Sequence, residues 1–269
     1  MIIDFHTHIF PDKIAAKTIA ILSEKGGIPA HSDGTERGLL EKMAIAGVDV
    51  SVSLPVLTSP SQFDSITSFA HSINEKYRGK ERRIISFAGI HPDSEDIDCQ
   101  MKRIKELGFS GVKIHPDYQG VFIDDERYVR ILECAKEYDL ILITHAGADV
   151  AFRGQDVRCT PERALRLIRR VPYSKLVLAH MGGNEMPEGV LDILAGEDVY
   201  FDTSFVLGST PRETFIKFIE KHGIDRLLFG SDSPWSDMAK DAGIIKSFSL
   251  NKDDEEKIFS GNARRLLGI

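Results

Sequence analysis

Short runs of Val, Ile, Leu and Phe recur along the chain. Each closes on a polar or glycine-bearing turn, and each is followed by a stretch of helical period. The runs fall near residues 2–6, 48–55, 84–90, 111–115, 140–144, 175–179, 198–203 and 226–230. They are nearly continuous in apolar residues, Leu140-Ile141-Leu142-Ile143 most clearly, as parallel strands covered on both faces must be. Their spacing suits βα units of about 30 residues. Between runs, residues 124–138 place Tyr128, Ile131, Leu132 and Ala135 at i, i+3, i+4 and i+7, one apolar stripe of a helix. Asp124, Asp125 and Glu126 stand at its start, where the helix dipole favours negative charge. Thr210-Pro211-Arg212-Glu213 reads as a capping box with proline at the first helical position, and Thr160-Pro161-Glu162 as a similar start. A further helix runs from about Asp253 to Leu267, acidic at its start and carrying Arg264-Arg265 near its end, and is assigned to packing.

No linker and no shift in composition divides the chain. Eight strands alternating with helices over residues 1–269 predict an α/β protein of one domain, a single (β/α)8 TIM barrel with an extra C-terminal helix. An open doubly wound sheet is the alternative architecture. The composition, 42% hydrophobic and 28% charged over 269 residues, is that of a globular chain and excludes disorder, collagen-like repeats and coiled coil. A net charge of −7 with one Trp and six Tyr leaves no basic, aromatic footprint for nucleic acid. No apolar run is long enough to span a membrane. The N-terminus has neither a basic nor a long apolar segment of the secretory kind, so a cytoplasmic location is expected. Cys99, Cys134 and Cys159 are odd in number and not closely spaced, which reads as reduced thiols.

The histidines carry the chemistry. Six of nine, His6, His8, His91, His115, His145 and His180, fall at or just past the C-terminal ends of the predicted strands, and Asp232 does the same after the eighth run. In a parallel barrel those ends share one rim, the rim that carries active sites. His6-Thr7-His8 places two imidazoles on the same side of a strand, a spacing that suits one metal ion. His145 and His180 are each followed by small residues, Ala146-Gly147 and Met181-Gly182-Gly183, which leave room for a substrate. Neutral imidazoles and a carboxylate suit zinc, and an open coordination position lowers the pKa of bound water until it becomes a nucleophile near neutral pH. No G-x-S-x-G, Walker or G-x-G-x-x-G pattern is present.

These residues resemble the amidohydrolase superfamily, in particular the branch of small metal-dependent hydrolases and decarboxylases that includes aminocarboxymuconate-semialdehyde decarboxylase. The resemblance covers nearly the whole chain. It rests on Asp4-Phe5-His6-Thr7-His8, Gly111-Val112-Lys113-Ile114-His115-Pro116, Thr144-His145-Ala146-Gly147, Ala179-His180-Met181-Gly182-Gly183, Gly230-Ser231-Asp232-Ser233-Pro234 and Asn262-Ala263-Arg264-Arg265-Leu266-Leu267-Gly268. It implies that His6, His8, His145 and Asp232 hold one divalent ion, zinc first. It implies further that His180 faces the metal-bound water and that Asp232 doubles as general base. A homodimer is the family's expectation. Lys113 would bridge a second ion only if carbamylated; otherwise it is a substrate contact.

His115, Lys113, Trp235, His91 and Arg153 are the candidate substrate-binding residues, Arg153 from the long segment after the fifth run. The expected reaction is hydrolysis of a C–N or C–O bond, in an amide, lactone or ester, of a small molecule. Non-oxidative decarboxylation of a small carboxylic acid is the alternative, and a cationic clamp near the metal, from Lys113 or Arg153, would favour it. A non-catalytic ligand-binding barrel is the reading from another class.

Overall fold

The computed structural model describes residues 1–269. Nine strands follow in order: β1 (Ile3–Thr7), β2 (Val50–Ser53), β3 (Arg83–Ser86), β4 (Ala88–Gly89), β5 (Gly111–Ile114), β6 (Ile141–Thr144), β7 (Leu176–Leu178), β8 (Tyr200–Asp202) and β9 (Leu227–Leu228). All pairings are parallel, in the orders β1-β2-β3 and β4-β5-β6-β7-β8-β9. β3 and β4 are halves of one stave, parted at Phe87, whose N–H donates to Ser53 O at 2.9 Å. The ring closes between β9 and β1. Phe5 N–H donates to Phe229 O at 2.8 Å, Asp232 N–H to His6 O at 2.8 Å, and His8 N–H to Ser233 O at 2.7 Å. An open sheet would leave β1 and β9 as unpaired edges. The eight predicted runs therefore become the eight staves of a closed (β/α)8 barrel.

Two buried clusters hold it together. The larger lies between staves and helices and takes the outward strand positions, such as Val112, Leu142 and Leu178. The smaller fills the barrel interior with Ile3, Phe5, Val52, Ile143 and Val177, and is completed by Ala263 and Leu266 of the C-terminal segment. That segment is helical over Lys252–Glu256 and Asn262–Leu267, joined by a wide turn at Lys257–Gly261. Asn262 Nδ2 donates to Ile224 O and Leu227 O, both at 2.8 Å, which ties the segment to β9.

Two helix starts differ from expectation. The helix Glu126–Glu137 begins after Asp125, whose carboxylate accepts the Arg127 N–H at 3.0 Å. Asp124 lies outside it and pairs with Arg163 and Arg166. Thr160 caps the helix Pro161–Arg170 as the sequence suggests. Thr210 caps nothing: its hydroxyl is spent on Val206 O, and Pro211 itself precedes the helix Arg212–His222. The three cysteines are free, and no helix is long and apolar enough to cross a membrane.

One irregularity shapes the site. The β1–β2 register shifts by one residue between Asp4 and Thr7, a bulge that puts an extra residue in β1. Phe5 packs in the interior cluster while His6 and His8 face the barrel mouth.

Candidate active site

His6 Nδ1 lies 2.8 Å from Asp202 Oδ2, and His8 Nδ1 lies 2.8 Å from Leu54 O. Both partners are acceptors, so each Nδ1 carries its hydrogen and each Nε2 presents a lone pair. Those Nε2 atoms stand 3.2 and 3.1 Å from Asp232 Oδ1. Burial pushes His6 well below its ordinary pKa, with the Lys113 charge adding to the effect, so its ring is neutral. Two imidazole nitrogens and a carboxylate oxygen thus converge, all within 4.8 Å of one another. Ligands each about 2.1 Å from one ion stand roughly 3.0–3.4 Å apart, so this donor set fits a divalent cation.

The surroundings fix these groups. Asp4 accepts the His6 N–H at 3.1 Å, the Ser231 N–H at 2.9 Å and the Ser231 hydroxyl, clamping β1 to the turn that carries Asp232. A Cβ on Gly230 would fall 2.9 Å from His6 Cβ, so glycine is what lets the two strand ends approach. Lys113, 1% exposed, reaches Nζ to 3.3 Å from His6 Nε2. Burial pulls its pKa down to about 8 despite the opposing charges of Asp202, Asp232 and Asp149.

His145, expected as a fourth ligand, stands in a neighbouring group. Its ring stacks on His115 at 4.2 Å, and His115 Nε2 faces Asp149 Oδ2 at 3.3 Å. His145 Nδ1 contacts His180 Nε2 at 2.9 Å, and His145 Nε2 points at Asp117 Oδ2, 3.7 Å away. His180 Nδ1 lies 3.0 Å from Ser204 O, so both its ring nitrogens are engaged within the wall, although the ring packs 5.2 Å from His6. The left-handed backbone at His180 and Met181 is what turns the ring this way.

Of the remaining candidates, His91 joins neither group: it is buried and accepts the Asp93 N–H at 3.1 Å. Trp235 is half-buried, and its backbone N–H donates to Asp232 O at 2.8 Å. Arg153 is exposed and lines a cavity of about 150 Å³ bounded by Asp117, the segment 148–157 and Glu185. That segment is held down by Lys25, whose Nζ sits 3.8 Å over the Phe152 ring. Residue-by-residue reasoning passed over Asp202, Ser204, Asp149 and Arg158. Asp202 ends the seventh run, so its place at a strand end was the available signal.

A family model described as Amidohydrolase matches residues 3–269. The chain belongs to the amidohydrolase family. A gamma-resorcylate decarboxylase of Polaromonas sp. (strain JS666 / ATCC BAA-500) is 23% identical over 284 residues, spanning 86% of each chain. Among solved structures, 2,6-dihydroxybenzoate decarboxylase in complex with 2,6-dihydroxybenzoate superposes with a TM-score of 0.75 at 18% identity, covering 100% of this chain and 99% of its own. The 5-carboxyvanillate decarboxylase of Sphingomonas paucimobilis gives 0.68 at 18% identity, covering 100% and 99%. A dihydroxybenzoic acid decarboxylase of Polaromonas sp. JS666, with bound manganese and 2-nitroresorcinol, gives 0.73 at 18% identity, covering 99% and 96%. These likenesses bear out the barrel, and the chain is an enzyme of the amidohydrolase superfamily. The expectation of C–N or C–O hydrolysis is corrected: the relatives named here are all decarboxylases, so the alternative reading replaces it.

Proposed function

We propose that residues 1–269 form a metal-dependent, non-oxidative decarboxylase of a small aromatic carboxylic acid, using one divalent ion held by His6, His8 and Asp232. The observation that carries this reading is Lys113. Its buried ammonium, 3.3 Å from His6 Nε2, is the cation beside the donor set that a departing carboxylate needs. Arg153, the other candidate clamp, is exposed and lines the cavity of segment 148–157. The names of the relatives point the same way.

Zinc suits the donor types, and manganese is the ion named with one relative's structure. When bound, such an ion supplies Lewis-acid polarisation of the substrate's oxygens. The chain's own residues do the rest. Lys113 Nζ holds the carboxylate. The C–C bond to it breaks with its electron pair left on the ring carbon, CO2 departs, and one proton must reach that carbon. Asp232 Oδ1 faces the imidazoles, and its other oxygen is the atom we assign to receive a proton from solvent and pass it on. His180, bound on both nitrogens, keeps the wall beside His6 in place.

The test is CO2 release from a panel of carboxyl-labelled hydroxybenzoic acids by protein loaded with Mn2+ or Zn2+. The expected result is CO2 in equal amount to the arene formed, lost on chelation and in Lys113→Met. Loaded, folded protein that releases no CO2 from any member overturns the reading.

A further inference from the structure

The segment between Gly147 and Cys159 is pinned at its neck and free along its length. Gly147 N–H donates to Cys159 O at 2.9 Å, so the two ends meet. Ala148 N–H donates to Asn184 O at 3.0 Å and Ile123 N–H to Arg158 O at 3.0 Å, which ties the neck to the barrel. From Asp149 to Val157 the main chain bonds only within the segment. Phe152 N–H donates to Asp149 O, Gln155 N–H to Phe152 O, and Ala151 N–H to the Asp149 carboxylate. None of residues 149–157 is fully buried, and 153–156 are exposed. This is a compact loop with closed ends, of the kind often used for function. A stretch with unburied side chains and no outward main-chain bonds opens at little cost.

Side chains alone hold its middle down. Asp149 Oδ2 stands 3.3 Å from His115 Nε2, and the Phe152 ring meets Tyr118 edge-on at 4.9 Å. Tyr118 in turn packs edge-on against His115 at 4.8 Å. Lys25 Nζ lies over both rings, 3.8 Å from the centre of Phe152 and 4.7 Å from that of Tyr118. Next to it, a Cβ on Gly26 would fall 3.2 Å from Val150 Cγ2, so this turn lies close against the segment.

Lys25 and Gly26 end the helix Asp12–Gly26, and that helix is itself loosely held. It buries only Ala15 and Gly26. The next helix, Glu36–Ala46, buries Gly38, Leu39 and Met43 and leads into β2, so it is the one that completes the first βα unit. The earlier helix is an addition whose last turn reaches the segment. Beneath them lies the cavity of about 150 Å³, walled by Asp117, Glu185 and the segment itself. His115 and Asp117 are 7% and 3% exposed in this closed arrangement.

We propose that residues 149–157 are a lid over the His115–Asp117 side of the rim, and that Lys25 clasps it shut through Phe152 and Tyr118. The lid swings on its pinned neck, Gly147–Ala148 and Arg158–Cys159. Opening parts Lys25 from Phe152 and Asp149 from His115, and turns the cavity wall outward. Lids of this kind admit a ligand and then keep water from it. An ammonium over aromatic faces suits a clasp, because the contact holds at an exposed site and is weak enough to part.

The test follows two rates on the whole protein in wild type, Lys25→Met, Phe152→Leu and the double variant. One is tryptic cleavage of the Arg153–Gly154 bond. The other is carbethoxylation of His115 by diethyl pyrocarbonate. Both are mapped by mass spectrometry. When opening and closing are fast, both rates follow the population of the open form. Loss of one exposed cation–aromatic contact corresponds to about a two- to fivefold larger open population. Lys25→Met is expected to raise both rates by that factor, and Phe152→Leu by at least as much. The double variant is expected to go no further than Phe152→Leu alone, since the two residues share one contact. Lys25→Arg, which keeps a cation over the rings, restores the wild-type rates. His71, whose ring packs on Phe109 just before β5, serves as the control and is labelled at an unchanged rate. Unchanged rates in both folded single variants overturn the clasp, and so do rises that add in the double variant. Faster cleavage with unchanged His115 labelling shows a segment that moves without covering the rim, and overturns the lid.

Discussion

Asp202 Oδ2 holds His6 Nδ1 at 2.8 Å across 196 positions of sequence. The same carboxylate accepts the backbone N–H of His180 at 3.0 Å through its other oxygen. One buried residue thus sets the His6 tautomer and anchors the turn that carries His180. Such outer partners orient metal-binding imidazoles and raise their basicity. Asp202→Asn is therefore expected to weaken divalent-ion affinity by about 10–100-fold, read by competition with a chromogenic chelator. Unchanged affinity in a folded variant would show that Asp202 only packs.

Asp232 is the one carboxylate among the proposed ligands, and His6 and His8 meet on its Oδ1. Elemental analysis of protein purified without chelators should find about one ion per chain in wild type, as a single site requires. Asp232→Asn is expected to lose most of that ion and at least about a hundredfold in kcat/KM, because the charged ligand and the proton carrier are the same residue. Two ions per wild-type chain would point to a carbamylated Lys113 instead.

His222 lies far from this chemistry and governs a pH effect. Its ring packs on Phe201 and Phe218 at 4.6 and 5.3 Å and accepts the Gly196 N–H, and burial lowers its pKa to about 4. Between about pH 4 and 6.5 the unfolded chain binds this proton and the native state does not, so stability falls as pH drops through that window. Below it both states are protonated and the loss stops. His222→Gln is expected to flatten the dependence of Tm on pH over this range. A slope that persists unchanged assigns the effect to other groups.

Gly147 carries the chain past His145 with φ of 84°, and a Cβ there would fall 2.1 Å from Asn184 N and 2.5 Å from Asn184 O. Those neighbours are backbone and cannot swing aside. Gly147→Ala is expected to cost more than about 3 kcal/mol, combining left-handed strain with a main-chain clash. Thermal or denaturant unfolding measures it, and a loss under about 1 kcal/mol would mean the Asn184 turn can shift.

Much of this was readable along the chain because it is local. Apolar runs such as Leu140-Ile141-Leu142-Ile143 pair as strands without knowledge of distant partners, and six histidines at run ends mark the rim by position alone. His6 and His8 were legible as a pair on one side of β1, and Asp232 as their complement at the eighth strand end. Hydrolysis was the wrong reading of this site, since a metal-binding rim is compatible with either reaction and the motifs name donors, not substrates.

What folding alone decided is which strand-end group meets which. The bulge in β1 is a mismatch with β2, invisible in either strand by itself. His145 faces Asp117 rather than the His6 donor set because His180 Nε2 already takes its Nδ1–H, and His180 is fixed in turn by Ser204 O. Arg158 reaches Asp117 only because segment 148–158 folds back over the rim. The chain by itself determines period, strand ends and the inventory of donors. Register, tautomer and ion pairing are set by hydrogen bonds between residues tens to hundreds of positions apart, and those exist only once the barrel has closed.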